Sequence, residues 1–315
     1  MMRAFIFPGQ GSQTVGMGKD FYNSYSKSRA VFEEVDKILG RKLSDIIFNG
    51  PMEELTKTEN AQPALMTVSI AILRALETET GENVGSLCDF VAGHSLGEYS
   101  ALCASEAISL SQIAKLLEIR GNAFAEVGKK SGGSMAALIG VDIKIAEKIA
   151  EKSKKGNEIC QVANDNSLGQ VVISGNETAI DRSIEIAKEM GVKRAIKLPV
   201  SGAFHSELMV PAKEVMKKAL DSAKIHEPTI PLIANVSANQ VFTADEIRES
   251  LIQQITGRVR WRETLQHFKE AGVTEFVEIG SGKVLSGLVA KTLQEVKIVS
   301  ISNVEEMKEY LNFII

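Results

Sequence analysis

Ser95 lies in Gly93-His94-Ser95-Leu96-Gly97, directly after the apolar run Phe90-Val91-Ala92 and ahead of a helical pattern that begins at Glu98. A serine in that setting occupies a tight strand-to-helix turn. The flanking glycines accept the crowded backbone, and the hydroxyl is presented at the edge of a sheet. Free backbone N–H groups at the helix start would meet an oxyanion formed during acyl transfer. The plainer alternative is a glycine-rich turn whose serine only caps the helix. A serine hydroxyl also needs a positioned base, and the chain offers four histidines: His94, His205, His226 and His267. His94 adjoins Ser95, and in such a turn the neighbouring side chain points away. His267 belongs to the charged helical stretch Glu263–Glu270 and is expected at the surface. His226, before Glu227-Pro228, reads as a loop residue. His205 follows Val200-Ser201-Gly202-Ala203-Phe204, where the chain returns from one structural unit to another, and loops at such crossings border clefts. Position and elimination favour His205 as the base over an ordinary residue near a helix start.

Arg120 stands on a helical stretch beside Leu116, Leu117, Ile119 and Phe124. A guanidinium fork can hold a carboxylate through two charge-assisted hydrogen bonds. An arginine buried without an anion is costly. The residues alone leave open an ion pair to Glu118 or a snorkelling surface side chain.

These groups need elements to position them. Arg3–Phe7 reads as a buried strand broken by Pro8-Gly9. Helices are expected over Ser26–Leu39, from Gln62-Pro63 in a first turn to about Thr78, and from Ser109 to about Glu126. Strands alternating with helices imply a mostly parallel sheet covered on both faces. Gly128-Lys129-Lys130-Ser131-Gly132-Gly133 then interrupts the pattern. Strand Met135–Gly140, helix Lys144–Lys155, strands Ile159–Ala163 and Gln170–Ser174 around the turn Asn164–Ser167, helix Glu177–Met190 and strand Lys193–Leu198 follow. That order is βαββαβ, a split βαβ or ferredoxin-like unit of about 70 residues. The predicted division is a large unit over 1–128 and 200–315 with a small unit, 129–199, inserted in it. After Pro199 the α/β pattern resumes, with helices at 206–223, 244–255, 262–271 and 283–293 and strands Pro231–Val236, Glu275–Ile279 and Val296–Ser300.

Composition narrows the class. The 315 residues are 44% hydrophobic and carry a net charge of −4, so bulk nucleic-acid binding is not indicated. No apolar run approaches the roughly 20 residues needed to span a bilayer. The apolar stretch Ala4–Phe7 is too short for a signal peptide core. Cys88, Cys103 and Cys160 lack metal-ligand or paired spacing and read as small apolar residues in a reducing compartment. The expectation is a soluble, cytoplasmic monomer. Gly9-Gln10-Gly11 is not a dinucleotide fingerprint, because Thr14 stands where the third glycine belongs. Gly280-Ser281-Gly282-Lys283 is not a phosphate loop, because Val277 occupies its first-glycine position and Val284 follows the lysine. His94 and Glu98 share a helix face without a second histidine for zinc. No metal and no resident cofactor are expected.

Phe7-Pro8-Gly9-Gln10-Gly11-Ser12-Gln13, Gln62-Pro63-Ala64-Leu65, Gly93-His94-Ser95-Leu96-Gly97-Glu98-Tyr99, Arg120-Gly121, Gly202-Ala203-Phe204-His205-Ser206 and Gly282-Lys283-Val284-Leu285 occur in one order. This series resembles the malonyl-CoA:acyl carrier protein transacylases and the related acyltransferase domains of polyketide synthases, from residue 5 to about 290. The resemblance implies an α/β-hydrolase-like parallel-sheet core with an inserted ferredoxin-like small subdomain. It implies that Ser95 takes malonyl from coenzyme A, with His205 as base, and that the phosphopantetheine thiol of acyl carrier protein then attacks the ester. It places the oxyanion hole at the backbone N–H groups of Gln10 and Leu96, the carboxylate-binding arginine at Arg120, and Gln62 near His205. It sets Phe204 among malonyl-selective features and Asn164 with Asn166 beside the coenzyme A channel. A backbone carbonyl orients the histidine in this family. The matching segment is Thr256–Trp261, with Gly257 where asparagine is usual. A basic rim for the acidic carrier protein would comprise Arg258, Arg260 and Arg262 with Lys129, Lys130, Lys152, Lys154 and Lys155. A trans-acting polyketide enzyme has the same chemistry. An acyl hydrolase and a silent carrier-binding module are the competing readings, the first disfavoured by Arg120 and the second by the presence of Ser95 and His205.

Overall fold

A computed structural model describes residues 2–314. The N-terminal part runs β1 (Met2–Phe7), α1 (Lys19–Ser24), α2 (Ser26–Leu39), α3 (Leu43–Asn49), α4 (Met52–Thr56), α5 (Thr58–Thr80), α6 (Val84–Leu87), β2 (Phe90–Gly93), α7 (Gly97–Ala104) and α8 (Leu110–Ser131). The middle part is β3 (Gly133–Ile139), α9 (Ile143–Ser153), β4 (Cys160–Ser167), β5 (Gln170–Asn176), α10 (Glu177–Glu189) and β6 (Arg194–Lys197). Then come α11 (Val210–Asp221), β7 (Leu232–Ile233), β8 (Gln240–Val241), α12 (Ala244–Gln254), α13 (Trp261–Glu270), β9 (Val273–Ile279), α14 (Val284–Thr292), β10 (Lys297–Ile301) and α15 (Val304–Ile314).

The larger sheet has the order β10-β9-β1-β2-β7-β8, parallel except for β8. Its central strands are apolar on both sides because helices cover both faces. Successive side chains alternate between those layers. Phe5, Phe7 and Val91 join the core beneath α5 and α8, whereas Ala4, Ile6, Phe90 and Ala92 join Trp261, Leu265 and Phe268 on the other face. Phe7 pairs with Gly93, so β1 and β2 end level, and the loops that follow them start side by side. Loops beyond the carboxyl ends of parallel strands are where such sheets build sites.

The smaller sheet is antiparallel, with the order β4-β5-β3-β6. Its own core packs Ala136, Leu138 and Ile173 against Ile149 of α9 and Ile180 of α10. The sheet is stitched to the larger unit by backbone: Asp165 N–H donates to Val259 O at 2.9 Å, and Val259 N–H donates to Ala163 O at 2.8 Å.

Three local expectations need correction. Pro63 is inside α5, not in its first turn. Proline removes the N–H that would close on the Glu59 carbonyl, and Arg41 Nη2 donates to that carbonyl instead at 3.3 Å. Gly128 does not interrupt α8, which continues across the expected 128/129 boundary to Ser131 and ends at Gly132 in the left-handed conformation. A Cβ on Gly128 would lie 2.0 Å from Ser201 O, so the glycine serves close approach rather than chain reversal. Asn164–Ser167 is not a turn but the buried end of β4, kept extended by pairing to β5 on one side and to Val259 on the other.

Candidate active site

The Ser95 turn is built from backbone proximity. A Cβ on Gly93 would lie 1.9 Å from the Gly97 carbonyl carbon, and one on Gly97 would lie 2.2 Å from Phe7 O. Only glycine lets β1, β2 and α7 converge there. Ser95 itself has φ +54°, a left-handed conformation unusual for a residue with a side chain. Asn235, just beyond β7, holds it in place: its Oδ1 accepts from Ser95 N–H and its Nδ2 donates to Gly93 O, both at 2.7 Å.

His205 is also left-handed, at φ +57°. Its Nε2 lies 2.8 Å from Ser95 Oγ. Its Nδ1 lies 2.8 Å from the carbonyl of Gln254, at the end of α12. A carbonyl can only accept, so Nδ1 carries the proton and Nε2 is free to take the serine proton. Burial, with the Arg120 charge second, pushes the imidazole down to about 3, against the opposing pull of the Gln254 and Gly257 carbonyls. The ring is therefore neutral near pH 7. The short Nδ1 contact belongs to Gln254, three residues before Gly257 and outside the expected 256–261 segment. Gln161 of β4 braces the loop, with Nε2 3.4 Å from His205 O and 3.3 Å from Thr256 O.

Arg120 is 1% exposed and has no carboxylate within ion-pair distance among the described residues. Glu118 pairs with Arg41 instead. Arg120 Nη1 donates to Gln62 Oε1 at 2.7 Å, and Nη2 donates to Gln254 Oε1 at 2.9 Å and to Ser95 Oγ at 3.2 Å. Its Nε has no hydrogen-bond partner among the described residues. The guanidinium lies 4.3 Å from the centre of the Phe124 ring, which packs on Phe204 at 5.0 Å. The result is a buried cation aimed at Ser95 Oγ, surrounded by neutral acceptors and aromatic faces.

Leu96 follows the serine at the start of α7, and Gln10 lies in the loop that leaves β1. His94 N–H donates to Phe7 O at 3.0 Å, which seats the Pro8–Gln13 loop against the turn. Among the described residues, neither the Gln10 nor the Leu96 backbone N–H has a protein partner. Asn164 is buried in β4. Its neighbour Asn166 lies 2.7 Å from His94 Nε2, so His94 points toward the small sheet and away from Ser95 Oγ. His226 is exposed and His267 half-buried. Within the expected basic rim the three arginines are paired: Arg258 with Glu147 at 3.2 Å, Arg260 with Glu263 at 2.7 Å and Arg262 with Asp165 at 2.8 Å.

Sequence reasoning passed over Asn235 and Gln254. Asn235 lies just beyond the carboxyl end of a parallel strand, a position that could have drawn attention. Gln254 is one amide in an ordinary amphipathic helix and carries no local signal.

A serine hydroxyl hydrogen-bonded to a neutral, buried imidazole at a strand-turn-helix is the arrangement that acyl transfer requires. Residues 4–310 match the acyl transferase domain family, and the chain belongs to it. More particularly, it is similar to the malonyl CoA-acyl carrier protein transacylase of Bacillus subtilis (strain 168), 45% identical over 305 residues, 97% of this chain and 95% of that one. The acyl-carrier-protein-S-malonyltransferase structure from Bartonella henselae superposes with TM-score 0.95 at 50% identity, over 99% of both chains. A malonyl-transacylase in complex with a type II PKS acyl-carrier protein superposes with TM-score 0.95 at 34% identity, over 99% of this chain and 100% of that one. No helix among the described residues is long and apolar enough to cross a membrane.

Proposed function

We propose that the chain transfers a malonyl group from coenzyme A to the phosphopantetheine thiol of an acyl carrier protein, through an ester on Ser95. The observation that carries this reading is Arg120, a buried guanidinium 3.2 Å from Ser95 Oγ with no carboxylate at ion-pair distance among the described residues. Acetyl and malonyl differ by one carboxylate, and that carboxylate is the partner Arg120 lacks. Gln62 and Phe204 support the arginine, one by a hydrogen bond and the other through Phe124.

In the first half, His205 Nε2 takes the Ser95 hydroxyl proton as Oγ attacks the thioester carbonyl. The tetrahedral oxyanion meets the N–H groups of Gln10 and Leu96; loss of one such donor costs about 10²–10³ in rate in other acyl-transfer enzymes. Collapse expels the coenzyme A thiolate, which takes the proton from His205. In the second half, the carrier thiol gives its proton to His205 and attacks the ester, and the proton returns to Ser95. This chemistry is complete without a metal or resident cofactor. Asn164 and the β4 edge border the route for the pantetheine arm. We read the larger sheet as an α/β-hydrolase-like core with a ferredoxin-like unit over 129–199 inserted in it, and the protein as a cytoplasmic monomer. The carrier belongs to fatty acid synthesis. The relative solved with a type II PKS carrier favours, as a second reading, a polyketide carrier served by the same steps.

Intact-protein mass spectrometry after brief mixing with malonyl-CoA or acetyl-CoA, followed by holo carrier protein, tests the reading. A malonyl adduct on Ser95 that moves to the carrier is expected, with little acetyl adduct and none in Ser95→Ala. Adducts lost to water instead of thiol would make the chain a hydrolase, and no adduct on folded protein would make it a binding module.

A further inference from the structure

Glu98, one turn past Ser95 on α7, is 2% exposed and has no cation within ion-pair distance among the described residues. Its Oε2 accepts from Gln254 Nε2 at 2.7 Å and from Asn235 N–H at 3.1 Å. Those same two residues hold both ends of the Ser95 backbone. Asn235 Oδ1 takes its N–H at 2.7 Å, and Gln254 Nε2 donates to its carbonyl at 3.0 Å. Gln254 Oε1 in turn accepts from Arg120 Nη2 at 2.9 Å. A single side-chain amide thus stands between a buried carboxylate and a buried guanidinium. Its acceptor end faces the cation and its donor end faces the anion.

We propose that Glu98 is the exchangeable counter-charge of the Arg120 site: its carboxylate balances the guanidinium while the site is empty, and it takes up a proton when an acyl group bearing its own carboxylate is loaded onto Ser95. This rests on the transfer reaction proposed above. The groups facing Glu98 are consistent with it. Arg120 of α8 is the charged one, Tyr99 adds a hydroxyl from α7 itself, and Asn235 and Gln254 are neutral. Burial raises the Glu98 carboxyl to about 7, against the opposing effects of Gln254, Asn235 and Arg120. A group poised there changes protonation when a second anion arrives, because a nearby like charge disfavours the ionised form. The proton comes from solvent and ends on the Glu98 carboxyl; no substrate bond is involved. Glu98 is a positioning residue, since it acts on Ser95 and Arg120 through Asn235 and Gln254.

The test is proton uptake in a weakly buffered solution containing a pH indicator, with ester formation counted in parallel by mass spectrometry. Below the pKa of the released thiol the transesterification is itself proton-neutral, since the Ser95 proton leaves on coenzyme A. At pH 7 we expect about half a proton taken up per malonyl ester formed, the fraction of a group with pKa near 7 that is ionised beforehand. Acetyl loading should give none. Uptake should fade below about pH 6, where the carboxyl is already protonated. Glu98→Gln should abolish uptake per mole of malonyl ester it still forms. Malonyl esters formed by the wild type with no uptake, or with the same uptake as acetyl esters, would overturn the proposal. So would Glu98→Gln esters that retain it. Should Glu98→Gln not fold, the malonyl–acetyl contrast in the wild type decides alone. Absence of any malonyl ester would instead overturn the proposed function.

Discussion

Replacing Arg120 by methionine keeps the aliphatic bulk against Phe124 and deletes the charge. In the loaded or loading state the guanidinium offers a malonyl carboxylate two charge-assisted hydrogen bonds, and hydrogen bonds to charged groups are worth about 1.5–3 kcal/mol each. Their joint loss, discounted for water that replaces them, is roughly 3–4 kcal/mol, or about 10²–10³ in kcat/KM for malonyl loading. Acetyl loading has no such contact to lose. The variant also orphans Gln62 Oε1 and Gln254 Oε1, which accept from Arg120 at 2.7 and 2.9 Å, and so lowers stability. For that reason the quantity to measure is the malonyl-to-acetyl ratio in one preparation, which cancels the folded fraction. Rapid-quench mass spectrometry of Ser95 loading at several ester concentrations gives both numbers. A ratio that stays at the wild-type value while both rates fall together would refute the carboxylate role and leave Arg120 as scaffold.

His205, held at about 3 by burial, is neutral throughout the working range, so acetyl loading should show no acid limb near the ordinary histidine value of 6.5. The linkage has a definite sign: the unfolded imidazole binds a proton below 6.5 and the folded one does not, so stability is complete above 6.5 and falls as pH drops toward 3. Glu98, raised to about 7, adds stability over the same interval in both proteins, so between pH 7 and pH 5 the urea midpoint of the wild type should fall relative to that of His205→Gln; parallel curves would contradict the assignment. Asn235→Ala removes two bonds that hold the Ser95 turn and should cost about 2–4 kcal/mol in chemical unfolding together with most of the loading rate; unchanged loading would deny it a positioning role. Gly93→Ala, whose Cβ would meet backbone at 1.9 Å, should not fold, whereas Gly287→Ala in α14, with nothing within 4 Å, should gain about 0.5–1 kcal/mol. Thermal melts of the pair check this, and a folded Gly93→Ala would refute the close-approach argument.

Much of the scaffold can be read from periodicity. The α2 helix begins and ends at Ser26 and Leu39 as the amphipathic pattern predicts, and the apolar strands β1, β2 and β9 lie close to their expected places. Turn chemistry and elimination single out Ser95 and His205, and their side chains lie 2.8 Å apart. What escaped is what depends on distant partners. Gly128 and Pro63 carry breaker signatures, yet Ser201 and Arg41, far along the chain, decide their surroundings. Asn164–Ser167 is polar enough for a turn, but Val259 and Arg262 make it a buried strand. Asn235, Gln254 and Glu98 look like routine polar residues, because a network tied together across three elements has no spacing in sequence.

The left-handed backbone at Ser95, φ +54°, also restricts what nucleophile this turn could ever carry. A β-branched side chain at positive φ is strongly disfavoured, since its second substituent meets the flanking peptide. Threonine would bring the same hydroxyl and be refused by the main chain before any chemistry began. Cysteine, unbranched, would be admitted. The turn thus filters the amino-acid alphabet on shape alone: it refuses the branched hydroxyl and admits unbranched nucleophiles such as a thiol or a short carboxylate.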